Sequence, residues 1–198
     1  MAFELSDDNI VSETYFAPGP FGGNCMIING ASNDNGTIRG ISFRGGSDQY
    51  GGGISIYNSS ITLSNLIIEN NSADFGGGLY LSESSANLNN ITIRNNGANE
   101  GGAAYVSGGA PVFNDVHIEE NFGYWGGGFF IQNSQLVISD CKFKYNEAFI
   151  EGAGVYQIGG ENNIFWTAFE YNNGYGYGGA LVANQASINI NQSTFTGN

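Results

Sequence analysis

The chain has 198 residues, among them 32 glycines, 18 acidic and five basic side chains, and its net charge is −13. An acidic excess of this size disfavours nucleic acid and anionic membrane surfaces as partners. No apolar run approaches the length of a membrane helix, so we expect no membrane span in this chain.

The N-terminal segment 1–22 lacks the pattern that fills the rest of the chain. A solenoid needs its open end covered, because an uncovered coil exposes unpaired backbone groups. We therefore predict that residues 1–22 form an N-terminal cap, in which Phe16 and Phe21 pack over the first coil. An irregular first coil is predicted from residues 25–28 and 37–43.

A repeat begins at Gly51 and continues to the last residue. Glycine-rich openings occur at Gly51, Gly76, Gly101, Gly126, Gly152 and Gly178. An Ile or Phe followed by two polar residues and Asn closes each unit, starting at Ile68, Ile93, Ile118, Phe143, Phe169 and Phe195. The sequence numbers of successive openings, and those of successive closing residues, differ by 25 three times and then by 26 twice. Two independent markers with one period indicate a stacked-repeat solenoid, which we assign to residues 23–198 as one body.

Each unit contains short runs in which apolar and polar residues alternate, as half-buried strands do. In the second unit these runs are 79–81, 87–89 and 91–93. Three strands joined by turns make one coil, and each strand pairs in parallel with its counterpart in the next coil. The sequence predicts an all-β fold, a right-handed three-stranded parallel β-helix of about six to seven coils.

Two sets of residues are predicted to fill the interior in files that run from coil to coil. The first file is Ile54, Leu79, Ala104, Phe129, Val155 and Leu181. The second file contains the closing Ile and Phe residues. The closing asparagines Asn71, Asn96, Asn121, Asn146, Asn172 and Asn198 are predicted to form an internal amide ladder. Cys141 falls in an inward file and is expected to be a buried thiol.

The register has a test within the sequence. One position after each closing Ile or Phe, the charges alternate in sign from coil to coil: Arg44, Glu69, Arg94, Glu119, Lys144 and Glu170. Stacked strands lie about 4.8 Å apart, so neighbouring opposite charges should attract, each contact contributing about 0.2–1 kcal/mol.

These repeats resemble those of a known family. Gly-Gly followed by Ala or Gly and an aliphatic residue, alternating with Phe or Ile, two residues and Asn, is similar to the polymorphic outer membrane protein repeats of autotransporter adhesins. The resemblance covers about residues 43–198 and is clearest at 101–104, 143–146 and 178–181. It implies an extracellular or cell-surface protein that acts in adhesion, self-association or scaffolding, without a cofactor.

An aromatic ladder is the first candidate binding site. Tyr80, Tyr105, Phe130 and Tyr156 occupy one outward position on four consecutive coils. Such a strip suits a glycan, another protein or a second copy of the chain. We therefore expect that serine replacements of Tyr105 and Phe130 leave the fold intact and weaken attachment or self-assembly. Alternatively, the stacked rings stabilise the strands, or a neighbouring segment covers them. The residues just before the glycine openings would widen the strip with Tyr50, Phe75, Trp125 and Tyr177, but Glu100 and Glu151 interrupt this second file.

A carboxylate pair is the second candidate site. Asp115 and Asp140 fall at one corner of adjacent coils, and His117 and Lys142 lie two residues beyond them. Paired carboxylates could serve a polysaccharide lyase or hydrolase of the pectin-degrading type. Corner Asn and Asp residues, however, commonly bond turn backbone, so a structural role is the competing interpretation. We expect no metal site.

The chain stops at the closing signal of a coil, with no capping segment after it. We therefore expect a piece of a longer solenoid, or a subunit that associates end to end.

Overall fold

The structure, a computed structural model, describes residues 15–19, 22–30 and 36–198. These residues form strands and turns, and no helix among them could span a membrane. The strands, numbered in chain order, are β1 (Tyr15–Phe16), β2 (Met26–Asn29), β3 (Thr37–Arg39), β4 (Ser42–Arg44), β5 (Ser47–Tyr50), β6 (Ile54–Tyr57), β7 (Thr62–Glu69), β8 (Ser72–Phe75), β9 (Leu79–Ser82), β10 (Asn87–Arg94), β11 (Gly97–Glu100), β12 (Ala104–Ser107), β13 (Val112–Glu119), β14 (Phe122–Trp125), β15 (Phe129–Gln132), β16 (Val137–Ser139), β17 (Lys142–Lys144), β18 (Glu147–Glu151), β19 (Val155–Ile158), β20 (Glu161–Phe165), β21 (Ala168–Glu170), β22 (Asn173–Gly174), β23 (Leu181–Asn184), β24 (Ser187–Asn191) and β25 (Thr194–Thr196).

Three parallel sheets form the faces of the solenoid. Sheet A has 12 strands and contains β1, β3, β4, β7, β10, β13, β16, β17, β20, β21, β24 and β25. Sheet B runs β5-β8-β11-β14-β18-β22, and sheet C runs β2-β6-β9-β12-β15-β19-β23. Every named strand pair is parallel, because each strand meets its counterpart one coil later. The seven strands of sheet C mark seven coils, which confirms the predicted right-handed, three-sheeted parallel β-helix.

The register confirms the predicted interior files. Ile54 pairs with Leu79, Leu79 with Ala104, and Ala104 with Phe129. The side chains from Ile54 to Val155 in this file, and from Ile68 to Phe169 in the second, have no solvent exposure. Like positions of successive coils therefore lie directly above one another, and the core continues along the solenoid axis.

The charged file has the predicted neighbours. Arg44 and Arg94 flank Glu69 in register, and Lys144 pairs with Glu170. A guanidinium nitrogen of Arg94 lies 2.8 Å from a carboxylate oxygen of Glu69. Lys144 Nζ lies 3.9 Å from the Glu170 carboxylate, which also binds Lys142 Nζ at 2.9 Å.

The strands of one coil are divided differently from the prediction. The runs 87–89 and 91–93 belong to a single strand, β10, which bends at Asn90, where φ is 49°. The third sheet is instead sheet B, built from the residues just before each glycine opening. Its inward positions are small residues such as Ala98, Gly123 and Ala148, so an apolar alternation does not reveal these strands.

The two longer coils carry their extra residue in sheet B. The spacing from a glycine opening to its closing Asn is the same in every coil, whereas the spacing from a closing Asn to the next opening is longer by one position in the last two intervals. The structure shows a register shift where β14 pairs with β18, because Trp125 pairs with Glu151 while Gly123 pairs with Ala148. The insertion is a β-bulge, a feature that redirects the side chains around it.

A tight glycine turn joins each sheet B strand to the sheet C strand that follows. Gly76 has a φ of +67°, which is the left-handed region that glycine enters without steric cost. At Gly77 an added Cβ would lie 2.5 Å from the carbonyl oxygen of Gly97 in the next coil. Only glycine lets the chain turn this sharply while the stacked backbones stay this close.

The start of the solenoid is partly described. Strand β1 pairs with β4, and the Phe16 ring stacks on Phe43 at 5.6 Å between centroids. Phe16 thus covers the first closing residue, as predicted. Phe21 and residues 1–14 lie outside the described residues, so the extent of the cap stays a prediction.

Candidate functional site

The rings of the aromatic ladder stack as the sequence predicts. Tyr80 and Tyr105 have ring centroids 5.4 Å apart and planes 14° apart, and Tyr105 and Phe130 are 5.1 Å and 6° apart. Tyr156 follows at 5.3 Å from Phe130 with a tilt of 35°. The regular stack results from the parallel register of sheet C, which places one ring above the next.

The ladder is nevertheless largely covered. The exposed fractions of Tyr105, Phe130 and Tyr156 are only 7%, 4% and 7%, and Tyr80 is half-buried. Side chains at the ends of the sheet B strands, Phe75 and Trp125, pack against the ladder. The ring of Phe75 meets that of Tyr105 edge-on at 5.4 Å. This geometry matches the alternative in which a neighbouring segment covers the rings, and it leaves little ring surface for a ligand.

Burial also changes the acid–base properties of this corner. Desolvation, with a smaller contribution from the nearby Glu100 carboxylate, raises the pKa of Tyr105 to about 12. The Tyr105 hydroxyl donates a hydrogen bond to Gln132 Oε1 at 2.9 Å. Glu100 lies in register between Phe75 and Trp125, and burial raises the pKa of its carboxyl group. The covered ladder is therefore a second apolar cluster with a poorly solvated carboxylate at its edge.

A different set of aromatic side chains is open to solvent, on the outer face of sheet B. We call Phe122, Tyr124, Phe149 and Tyr175 the aromatic patch. Their exposed fractions are 42%, 44%, 59% and 62%, respectively. The ring centroids of Phe122 and Tyr124 are 6.1 Å apart, and the ring planes differ by 66°. The centroids of Tyr124 and Phe149 are 5.7 Å apart, and their planes differ by 70°. Tyr175 N donates to Ala148 O at 3.0 Å, which places Tyr175 one coil beyond Phe149.

The sequence carries a signal for this patch that the prediction missed. Tyr124, Phe149 and Tyr175 each stand three residues after a closing asparagine. In the earlier coils the same position holds Asp74 and Asn99, so the aromatic run is confined to three coils. The β-bulge of β18 lies within that run and bears Phe149.

Charge is divided between the sheets. All five basic residues of the chain lie on sheet A strands: Arg39, Arg44, Arg94, Lys142 and Lys144. Sheet B strands carry only acidic charges: Asp48, Asp74, Glu100, Glu147 and Glu151. Glu147 is the register partner of Phe122, so a carboxylate stands directly beside the aromatic patch. The face that bears the patch therefore has a negative field.

The carboxylate pair occupies the predicted corner. Asp115 and Asp140 are exposed on adjacent coils, and both have a φ of 53°. Asn65 and Asn90 have the same left-handed conformation at this corner, which short Asn and Asp side chains tolerate well. His117 and Lys142 are register partners, as expected, but Lys142 binds Glu170. Backbone geometry by itself accounts for the aspartates.

Two further kinds of site are not supported by the geometry. Cys141 is buried in the core as predicted, and burial raises the pKa of its thiol to about 12, which favours the protonated form over the nucleophilic thiolate. Among the described residues, no three His, Cys, Asp or Glu side chains are grouped to hold a metal ion.

A second pair of exposed rings lies at the corner between sheets A and B. Tyr145 and Tyr171 stack on each other at 5.6 Å, at left-handed corner positions of sheet A. Lys144 Nζ lies 4.7 Å from the centroid of the Tyr145 ring, so this pair already has a cation of the same chain. It therefore provides a natural comparison for the aromatic patch.

Comparisons with known proteins agree with the fold. A family model described as "Right handed beta helix region" matches residues 24–198. No curated protein and no solved structure matches the chain. Because the match spans nearly the whole chain and the fold has seven parallel coils, the protein belongs to the right-handed β-helix family.

Proposed function

We propose that this chain is a structural and adhesive β-helix module of an extracellular or cell-surface protein, which binds a partner without catalysis. The observation that carries the proposal is the aromatic patch. Phe122, Tyr124 and Phe149 are exposed on strands of sheet B, and the exposed Tyr175 directly follows the next sheet B strand, β22. Contiguous exposed apolar side chains on a polar protein are typical of an interaction surface. The extracellular or cell-surface location rests on the resemblance of the repeats to those of adhesins.

The proposed binding surface is therefore the aromatic patch and not the ladder. A residue contributes to binding through surface that a partner can cover, and Tyr105, Phe130 and Tyr156 expose 7% or less. The ladder instead supports the patch, because its covering residue Trp125 belongs to β14, the strand that carries Phe122 and Tyr124. A rigid scaffold beneath exposed rings lowers the entropy cost of binding.

The alternative is a polysaccharide lyase or hydrolase that uses Asp115 and Asp140. Nothing in the geometry favours that role over a turn-forming one, since both residues share their φ with the asparagines of the same corner. Glu170 also holds Lys142 at 2.9 Å, which removes the nearest cation from an acidic sugar. We therefore keep the module as the proposed function.

A binding screen with matched variants tests the proposal. The purified chain is applied to an array of neutral and acidic glycans and to an array of peptides, and self-association is followed by sedimentation. Replacing Tyr124, Phe149 and Tyr175 with Thr should remove the binding found in one of these assays. Tyr145→Asn with Tyr171→Asn is the control, because it removes two similarly exposed rings that lie outside the patch, at the corner between sheets A and B. Binding that survives the threonine variant would refute the proposal.

The same preparation tests the alternative. Incubation with a panel of acidic polysaccharides should release neither reducing ends nor unsaturated sugars. Release that is lost in Asp140→Asn would assign the chain to the enzymes and overturn the module.

A further inference from the structure

We propose that the aromatic patch binds a cationic segment of a partner protein, rich in Arg or Lys. This inference rests on the proposed function and adds the chemical class of the partner. It is carried by two independent features of one face, the arrangement of the exposed rings and the sign of the surrounding charge.

The rings of the patch are set nearly perpendicular to one another. The planes of Phe122 and Tyr124 differ by 66°, and those of Tyr124 and Phe149 by 70°. Neighbouring rings therefore present faces in different directions, as the walls of a notch do. A guanidinium or ammonium group in such a notch meets the negative face of more than one ring, which is the geometry of cation–π recognition.

The charge of sheet B favours the same ligand. Its described strands carry Asp48, Asp74, Glu100, Glu147 and Glu151, and no basic residue of the chain lies on them. Glu147 is exposed beside Phe122, and Asp74 is exposed two coils before Tyr124 in the same outward file. A cation over the rings would thus have the Glu147 carboxylate beside it, and no positive side chain of the sheet B strands would repel it.

The exposed Tyr145 ring has a different environment from the rings of the patch. At Tyr145 the chain supplies its own cation, because Lys144 Nζ lies 4.7 Å from the ring centroid. Tyr124 and Phe149 instead contact other aromatic rings. The exposed Tyr145 ring is therefore paired with a cation of the same chain, whereas the rings of the patch have the Glu147 carboxylate beside them.

Two other occupants fit less well. A second copy of the chain would bring another net charge of −13 toward an acidic face, and the two copies would repel. A neutral glycan stacks flat on aromatic faces, and rings at 66° and 70° to each other do not form one continuous flat platform. We therefore favour the basic segment, and the neutral glycan is a distinguishable outcome of the test.

The test measures binding of the intact chain to a synthetic peptide of alternating Arg and Gly by isothermal titration calorimetry. A peptide of alternating Glu and Gly and the neutral polysaccharide amylose are run in parallel. The Arg peptide should bind, and the affinity should fall as salt is raised from about 0.05 M to about 0.5 M, because salt screens exposed charges. The variant with Thr at positions 124, 149 and 175 should bind about tenfold or more weakly, the loss expected for two or three exposed cation–π contacts.

Two further variants separate the contributions. Glu147→Gln should weaken binding of the Arg peptide by about twofold to fivefold, since one exposed charge is lost. Tyr145→Asn with Tyr171→Asn should leave the affinity unchanged. Thermal unfolding of each variant verifies that the solenoid is intact.

The outcomes are distinct. No binding of the Arg peptide, or binding that the threonine variant retains, overturns the inference. If amylose binds instead and the threonine variant loses it, the chain is still a binding module and only the class of partner is wrong. If neither probe depends on the patch, and the arrays also show no dependence on it, both proposals fail.

Discussion

Asn71 donates two hydrogen bonds to a single atom of Asn96. Its backbone N–H and its side-chain Nδ2 both lie 3.0 Å from Asn96 Oδ1, one coil further along. The same pattern joins each later closing asparagine to the next, up to Asn172 and Asn198. The predicted amide ladder is thereby confirmed, and it satisfies polar groups inside a corner that water does not reach.

Removing one asparagine from the amide ladder should lower the stability of the fold. In Asn121→Ala, both donors of Asn96 lose their acceptor, and the carbonyl oxygen of Ile93 loses its bond from Asn121 Nδ2. Because these groups are buried, we expect the free energy of unfolding to fall by about 2–4 kcal/mol. Urea denaturation measures this. Asn89→Ala is the control, since the exposed Asn89 side chain accepts a hydrogen bond from the half-buried Asn114, and an equally large loss of stability there would contradict this explanation.

Truncation of Phe130 should lower the stability of the fold strongly, whereas truncation of Phe149 should change it little. Phe130 is 4% exposed in the covered ladder, so Phe130→Ala should cost about 3 kcal/mol or more and lower the Tm by roughly 10 °C. Phe149 is 59% exposed, and Phe149→Ala should change stability by less than about 0.5 kcal/mol. The expectation that serine at Tyr105 and Phe130 spares the fold is therefore reversed. Equal Tm values for the two alanine variants would show that the ladder is not a packing element.

Glu100 should destabilise the fold when it is ionised. Burial raises the pKa of its carboxyl group, so the native state binds the proton more tightly than the unfolded chain does. This loss of unfolding free energy is absent below the pKa that Glu100 has in the unfolded chain. It grows as the pH rises through the pKa of Glu100 in the folded state, and it is constant at higher pH. Glu100→Gln should raise the Tm at about pH 7, and the difference from the parent should vanish near pH 4.

The control for this change is Glu120→Gln, which removes an exposed carboxylate at a sheet A corner. The change in its Tm measures the stabilisation that comes from lowering the net negative charge alone. A gain for Glu120→Gln that equals the gain for Glu100→Gln at neutral pH would assign the effect to net charge and not to burial.

The alternating charges on sheet A should show a dependence on salt. Arg94 lies in register between Glu69 and Glu119, and its guanidinium binds Glu69 at 2.8 Å. Arg94→Gln should lower the free energy of unfolding by less than about 1 kcal/mol, whereas Arg94→Glu should lower it by more, because it places carboxylates on three successive coils of the file. The gap between the two variants should narrow at about 1 M NaCl, where the screening length is about 3 Å. A gap independent of salt would indicate a packing effect of the arginine stem.

The candidate site was only partly predictable. The ladder of Tyr80, Tyr105, Phe130 and Tyr156 follows from the period and the strand alternation, and its stacking is confirmed. The aromatic patch was missed because the inward neighbours of its strands are Gly123, Ala148 and Gly174, which give no apolar alternation. Sheet B strands are stabilised by backbone hydrogen bonds and by contacts between stacked coils. A search for hydrophobic alternation does not detect such strands.

What the sequence determined by itself is which residues lie above one another. The nearly constant repeat period places like positions on stacked parallel strands, and this determines the core files, the asparagine ladder and the charge file. Only the tertiary structure decided which outward positions meet solvent. Strand alternation separates the inner from the outer side of a sheet, but it does not show that outward side chains on the two sides of the glycine turn contact each other, as Phe75 and Tyr105 do. Outward side chains there cover one another, whereas those in the middle of sheet B remain open to a partner.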